Sequence, residues 1–167
     1  MIDAWLALEP HIARLAALHS DELDLIEADL ALLEGGRIGA RTYFDLDERF
    51  HLGLAWCSQI PLINWMMLTF QRVRGHGKWA KVRALTLEPN SIELYTHQHR
   101  AIAGAVRASD SDEASHLMKE HLETARDSLV AAAIPSTTPS PNGATTRPQP
   151  RPPEFLYQKK VIRLWTN

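Results

Sequence analysis

Asp47 and His51 stand four residues apart, the spacing that brings two side chains onto one face of a helix. His99 and His121 lie eleven residues before and eleven after Asp110. If Asp110 marks the turn of an antiparallel helix pair, equal distances put both imidazoles at one height. At about 1.5 Å per residue, each stands roughly 16 Å from the turn, and the two can face each other. Three imidazoles and one carboxylate converging inside a bundle have the donor set of a divalent metal site. Neutral imidazoles and a single carboxylate leave positive charge on a 2+ ion. An open coordination position would therefore attract an anionic ligand such as a small carboxylate. Glu48, Gln98 and Glu120 are candidates for orienting the ligands from behind, and sequence does not choose among them.

The surroundings of these residues fit an interior. His99 shares a helical stripe with Tyr95, Ile102 and Ala103, and His121 with Leu117, Met118 and Ala125. The Asp47–His51 stripe continues to Leu54 and Ala55. A histidine on an apolar face is also compatible with a hydrogen-bonded core residue, and Asp47–His51 with a plain helix pair. His97 points away from His99. His11, His19 and His76 have no partner at a useful spacing and read as surface or loop residues.

The alternative chemistry is that of a di-iron carboxylate metalloenzyme, which uses paired E-x-x-H motifs. Glu48–His51 and Glu113–His116 have that form. However, Asp112, Glu113, Lys119 and Glu120 flank His116 at helical offsets, which marks a solvated face. No His-Asp dipeptide, nucleophile elbow or phosphate-binding loop occurs. The expectation is that the chain is not an enzyme. A metal-free protein-interaction module is the remaining alternative.

These residues need helices to hold them. The first, with Trp5, Leu8, Ile12, Leu15 and Ala16 inward, contains Pro10 and should kink or restart there. Ser20 is placed to cap a second helix, with Leu23, Ile26, Leu30 and Leu33 on one face and Gly35-Gly36 at its end. A third should span 40–57. Pro61 should open a fourth with Leu62, Trp65, Met66 and Val73 inward, and Gly75 and Gly77 loosen its end. After an ambiguous stretch at 78–90, broken by Glu88-Pro89-Asn90, a fifth should run over 91–108. Asp110 with Glu113 forms a capping-box-like start for the sixth. The fold class is all-α, an antiparallel bundle of about six helices.

The 167 residues suffice for one domain with a core. With 45% apolar and 23% charged residues the composition is that of an ordinary globular domain. A net charge of −2 argues against direct DNA contact from this chain. Cys57 is the only cysteine, so no internal disulfide forms. No signal peptide is visible. The longest apolar run, 60–70, is interrupted by Pro61 and Asn64 and is too short to span a membrane. A soluble, cytoplasmic protein is expected. Residues 1–132 form the expected domain. Residues 133–153, with seven of the ten prolines, read as a disordered linker, and 154–167 as a short apolar tail.

The chain resembles the FCD domain, the C-terminal effector-binding domain of the FadR subfamily of GntR transcription regulators. Leu8-Glu9-Pro10 followed by Ala13-Arg14-Leu15-Ala16-Ala17 resembles the opening helix of that family. Asp47-Glu48-Arg49-Phe50-His51 matches its D-x-x-F-H motif, and His99-Arg100-Ala101-Ile102 its H-x-x-I segment. Asp110, Ala114, Met118 and His121-Leu122 fit its closing pattern, and the likeness covers about residues 4 to 130. The resemblance implies that Asp47, His51, His99 and His121 are metal ligands, commonly for zinc or nickel. It further implies a small-molecule effector, an organic acid held by the metal, and a homodimer. The family's usual N-terminal winged helix-turn-helix has no counterpart ahead of the first helix, so no DNA-binding part is expected in these residues. Trp5 stands where the family's opening helix often carries an arginine, and Ile60 where an asparagine is common.

Overall fold

The computed structural model describes residues 2–35, 38–74, 81, 83 and 86–133. Among them are six α-helices: α1 (Ile2–Ala16), α2 (Asp24–Glu34), α3 (Ala40–Cys57), α4 (Pro61–Arg74), α5 (Pro89–Arg107) and α6 (Ser111–Ala133). No strand occurs among the described residues, so the all-α class holds. None of their helices is long and apolar enough to cross a membrane. Gly36, Gly75, Gly77, His76 and residues 134–167, which hold most of the expected linker and all of the expected tail, lie outside the described residues.

Amphipathic stripes decide the packing. α1 lies mainly against α6, and α6 also packs on α5. α3 sits against α1, α2 and α4, while α2 reaches α5. Ile12, Leu30, Phe50, Leu54, Ile102 and Met118 are fully buried at the centre. Each such side chain contributes about 1.5–3 kcal/mol relative to exposure. At Gly53 of α3 an added Cβ would stand 2.7 Å from Cγ1 of Ile26, so the missing side chain lets α2 approach closely.

The turn between α5 and α6 is tightly bonded. Ser109 adopts a left-handed φ of 56°. The Ser109 N–H donates to Val106 O and the Asp110 N–H to Ala105 O, closing the end of α5. Asp110 Oδ1 then accepts the Glu113 N–H at 3.1 Å and caps α6, as the sequence predicts.

α1 continues through Pro10, so the helix does not restart there, and Trp5, Glu9, Ile12, Ala13 and Ala16 are buried along it. Two expectations need correction. Ser20 does not cap α2: a 3-10 segment, Ala17–Glu22, intervenes, and the N-cap position falls on Leu23 with no side-chain cap. α4 turns a different face inward. Ile63, Asn64, Met67 and Arg74 are buried, while Leu62 and Trp65 are each 64% exposed and Val73 is exposed too. Both faces of α4 carry apolar residues, so periodicity alone could not choose, and the buried carboxylate that receives Arg74 lies on another helix.

Candidate metal centre

Asp47 and His51 project from α3, His99 from α5 and His121 from α6. All four are buried, and each offers one ligand atom such that these atoms lie within 4.8 Å of one another. Nε2 of His99 is 3.2 Å from Nε2 of His121. Oδ1 of Asp47 is 3.5 Å from Nε2 of His99 and 3.8 Å from Nε2 of His51. The i,i+4 pairing on α3 and the matched heights across the α5–α6 hairpin are those the sequence predicts.

The groups behind these atoms orient them. Gln98 Oε1 is 3.0 Å from Nδ1 of His121, so that nitrogen donates and Nε2 presents its lone pair to the cluster. Glu9, buried on α1, pairs with Nδ1 of His51 and acts in the same sense. Tyr43 donates to Oδ1 of Asp47 at 3.3 Å, and Arg74 Nη2 donates to its Oδ2 at 2.8 Å. The result is a knot of lone pairs, which suits a cation. Nδ1 of His99 is buried without a hydrogen-bond partner among the described residues.

The electrostatics agree. Burial alone would raise the Asp47 carboxyl, but Arg74, Arg83, His51 and His99 outweigh it and hold the group ionised well below the usual range. Burial pushes His99 down to about 3, with Asp47 opposing. Burial, then His99 and His51, push His121 well below its usual value. These two imidazoles are neutral at neutral pH, the form that ligates a metal.

A family model described as the FCD domain matches residues 1–124. The chain belongs to the FCD domain family. It is similar to the Uxu operon regulator of Haemophilus influenzae (strain ATCC 51907 / DSM 11121 / KW20 / Rd), 25% identical over 132 residues. That match covers 77% of this chain and 50% of the regulator, so the chain spans about half the length of the curated relative it matches. No solved structure matches it.

Sequence reasoning missed several residues of this FCD domain. Glu9 belongs to the opening motif but carried no signal of its role. Arg74 and Arg83 are both buried beside Asp47. The guanidinium of Arg74 lies 4.7 Å over the ring of Trp5, and that of Arg83 lies 5.2 Å over Tyr95. A cavity of about 20 Å³ borders Trp5, His51, Arg74, Arg83 and His121, enough for about one water. Of the proposed orienting residues, Gln98 is in place. Glu48 faces Arg74 Nε at 3.8 Å, and Glu120 pairs with His116 at the surface. The side chain of His116 is 62% exposed, so the second E-x-x-H pair does not join the cluster. His11, His19 and His97 are exposed.

Proposed function

We propose that this FCD domain is the effector-sensing and dimerisation part of a GntR-type transcription regulator. In this reading Asp47, His51, His99 and His121 hold a divalent metal, zinc or nickel, and through it a small organic acid. One observation carries it: four buried donor atoms, one carboxylate oxygen and three imidazole nitrogens, within 4.8 Å of one another. Nitrogen-rich sets of this kind suit zinc and nickel better than magnesium or calcium. The metal would supply a Lewis-acid point for a carboxylate oxygen. Glu9, Gln98 and Tyr43 keep its ligands turned inward.

The same reading treats the protein as a binder and not a catalyst. The FCD family and the regulator relative support it. Contact with DNA belongs to other parts of such a regulator, and effector binding acts on it through the pairing of subunits. The apolar face of α4, with Leu62 and Trp65 outward, supports a homodimer. Trp65→Lys should then shift the sedimentation of the chain toward monomer.

The deciding experiment is metal analysis of protein purified without a nickel column, followed by thermal shift with small carboxylates, with and without zinc. Metal at one equivalent is expected, absent from Asp47→Ala and His121→Ala. A carboxylate at a hundred times its dissociation constant should stabilise the zinc form by about 2.7 kcal/mol. No metal uptake, or uptake indifferent to both substitutions, would defeat the reading.

A further inference from the structure

Three consecutive residues of α5 engage three different neighbours. Gln98 bonds to His121 and Thr124 of α6. His99 reaches Asp47 of α3 and the ring of His121. Arg100 turns to α2. Its Nε and Nη2 donate to the two carboxylate oxygens of Glu34 at 2.8 and 2.7 Å, and its Nη1 donates to Glu27. Arg107, on the same helix, adds a bond to Glu27 at 3.2 Å. A fork of two parallel N–H bonds is the most directional form of the arginine–carboxylate pair. The bonds from Arg100 hold the Glu34 carboxyl below its usual range.

Successive residues of an α-helix are turned by about 100°. Gln98 and Arg100 therefore flank His99, one bound to α6 and the other to α2. A rotation of α5 about its axis strains both seams. Apolar packing resists such a rotation weakly here. Ala101, Ala103, Gly104 and Ala105 follow His99 and offer only short knobs, and hydrophobic attraction is non-directional. The two seams are not equivalent. Gln98 ties α5 to His121, itself one of the four clustered residues. Arg100 ties it to α2, which contributes none of them and packs on α3, the helix of Asp47 and His51. The clamp thus links the helix of His99, through α2, to the helix of Asp47 and His51.

We infer that Arg100 is a positioning residue of the metal centre: its clamp on Glu34 and Glu27 fixes the rotation of α5, and so the direction in which His99 presents Nε2. This inference rests on the metal reading of the cluster. Arg100 acts through His99, its neighbour in the chain.

The sign of the effect separates positioning from charge. Removing a positive charge near the cluster would by itself favour a cation, whereas loss of positioning weakens its binding. Zinc affinity of the full chain is measured by competition with a chromophoric chelator. Arg100→Gln should lower it about 2- to 30-fold, the range for residues that bias a site without touching its ligand. Arg100→Lys, which keeps the charge and loses the fork, should recover part of that loss. Cobalt(II) supplies a readout that a change in folding stability alone would not move. At full loading its visible absorption reports the directions of the ligands, so Arg100→Gln should shift the band or its intensity per bound ion. Arg14→Gln breaks an exposed pair with Asp112 between α1 and α6, and should change neither zinc affinity nor the cobalt spectrum. Should Arg100→Gln not fold, Glu34→Gln is measured in its place and should shift the same cobalt band. A zinc affinity at or above the original, or a fall with an unchanged cobalt spectrum, overturns the positioning role while the metal reading stands. If the unsubstituted chain takes up neither metal, the metal reading fails and this inference falls with it.

Discussion

Gln98 Oε1 lies 3.0 Å from Nδ1 of His121, and Nε2 of the same ring lies 3.2 Å from Nε2 of His99. Gln98 and His99 are adjacent on α5, yet they approach His121 from opposite sides of its ring. The amide oxygen accepts only, so the Nδ1 proton is fixed and Nε2 is left to bind a cation. Gln98 Nε2 in turn donates to Thr124 Oγ1 at 3.1 Å, which holds the amide in this orientation. Gln98→Leu should therefore lower zinc affinity about 10- to 100-fold, the usual cost of losing a residue that orients a metal-ligating histidine. Gln98→Glu, which still accepts, should stay close to the original. Chelator competition measures both, and equal affinities in all three proteins would remove Gln98 from the site.

The turn at Asp110 sets the heights of both histidines. Its side chain accepts the Glu113 N–H, and its backbone N–H closes α5 on Ala105. Asp110→Ala removes the cap and keeps the backbone bond. A loss of about 1 kcal/mol in urea unfolding is expected, as for other N-cap substitutions. Zinc affinity should change little, because the helix pair is also held by Tyr95 Oη to Ser128 Oγ at 2.8 Å and by Gln98 to Thr124. A large fall in zinc affinity would show that the cap governs the register.

The four clustered residues were legible because their relation is local geometry. An i,i+4 pair and two positions equidistant from a turn follow from helix dimensions alone. Glu9 and Arg83 were not, because each reaches the cluster from a distant part of the chain, and no spacing rule links position 9 to 51 or 83 to 47. α4 failed for a different reason. Its 62/65/69/73 stripe and its 63/67/70/74 stripe are both largely apolar, and the second ends in an arginine that a polarity rule sends to solvent. The long-range partner, Asp47, reverses that rule.

At Gly53, α3 packs directly against Ile26 of α2. A methyl group there would stand 2.7 Å from Cγ1 and 3.1 Å from Cδ1 of Ile26. Cγ1 lies near the backbone and yields little. Overpacking of this kind costs about 1–3 kcal/mol, and alanine returns at most about 1 kcal/mol of helix propensity. Gly53→Ala should therefore be destabilising on balance, seen as a lower urea midpoint. Adding Ile26→Ala should cost less than the sum of the two single changes, because the second removes the clash made by the first.

Acid should weaken the metal-free fold well before ordinary carboxylates titrate. His99 has a usual value of 6.5 and is pushed down to about 3 by burial. Between those two pH values the unfolded chain takes up a proton at this residue and the folded chain does not. Stability is then complete above about 6.5 and falls as pH drops toward 3, by up to about 1.4 kcal/mol per pH unit for one histidine. His121, also pushed down by burial, adds in the same direction. Asp47 acts lower: its folded carboxyl lies below the usual 3.8, so the stability it shares with Arg74 is kept above that value and lost beneath it. Urea unfolding of chelator-treated protein at successive pH values measures the slope. Unchanged stability between pH 6.5 and 4 would mean that His99 and His121 are not buried in neutral form. Zinc should make the loss steeper with falling pH, since protons and metal compete for the same lone pairs.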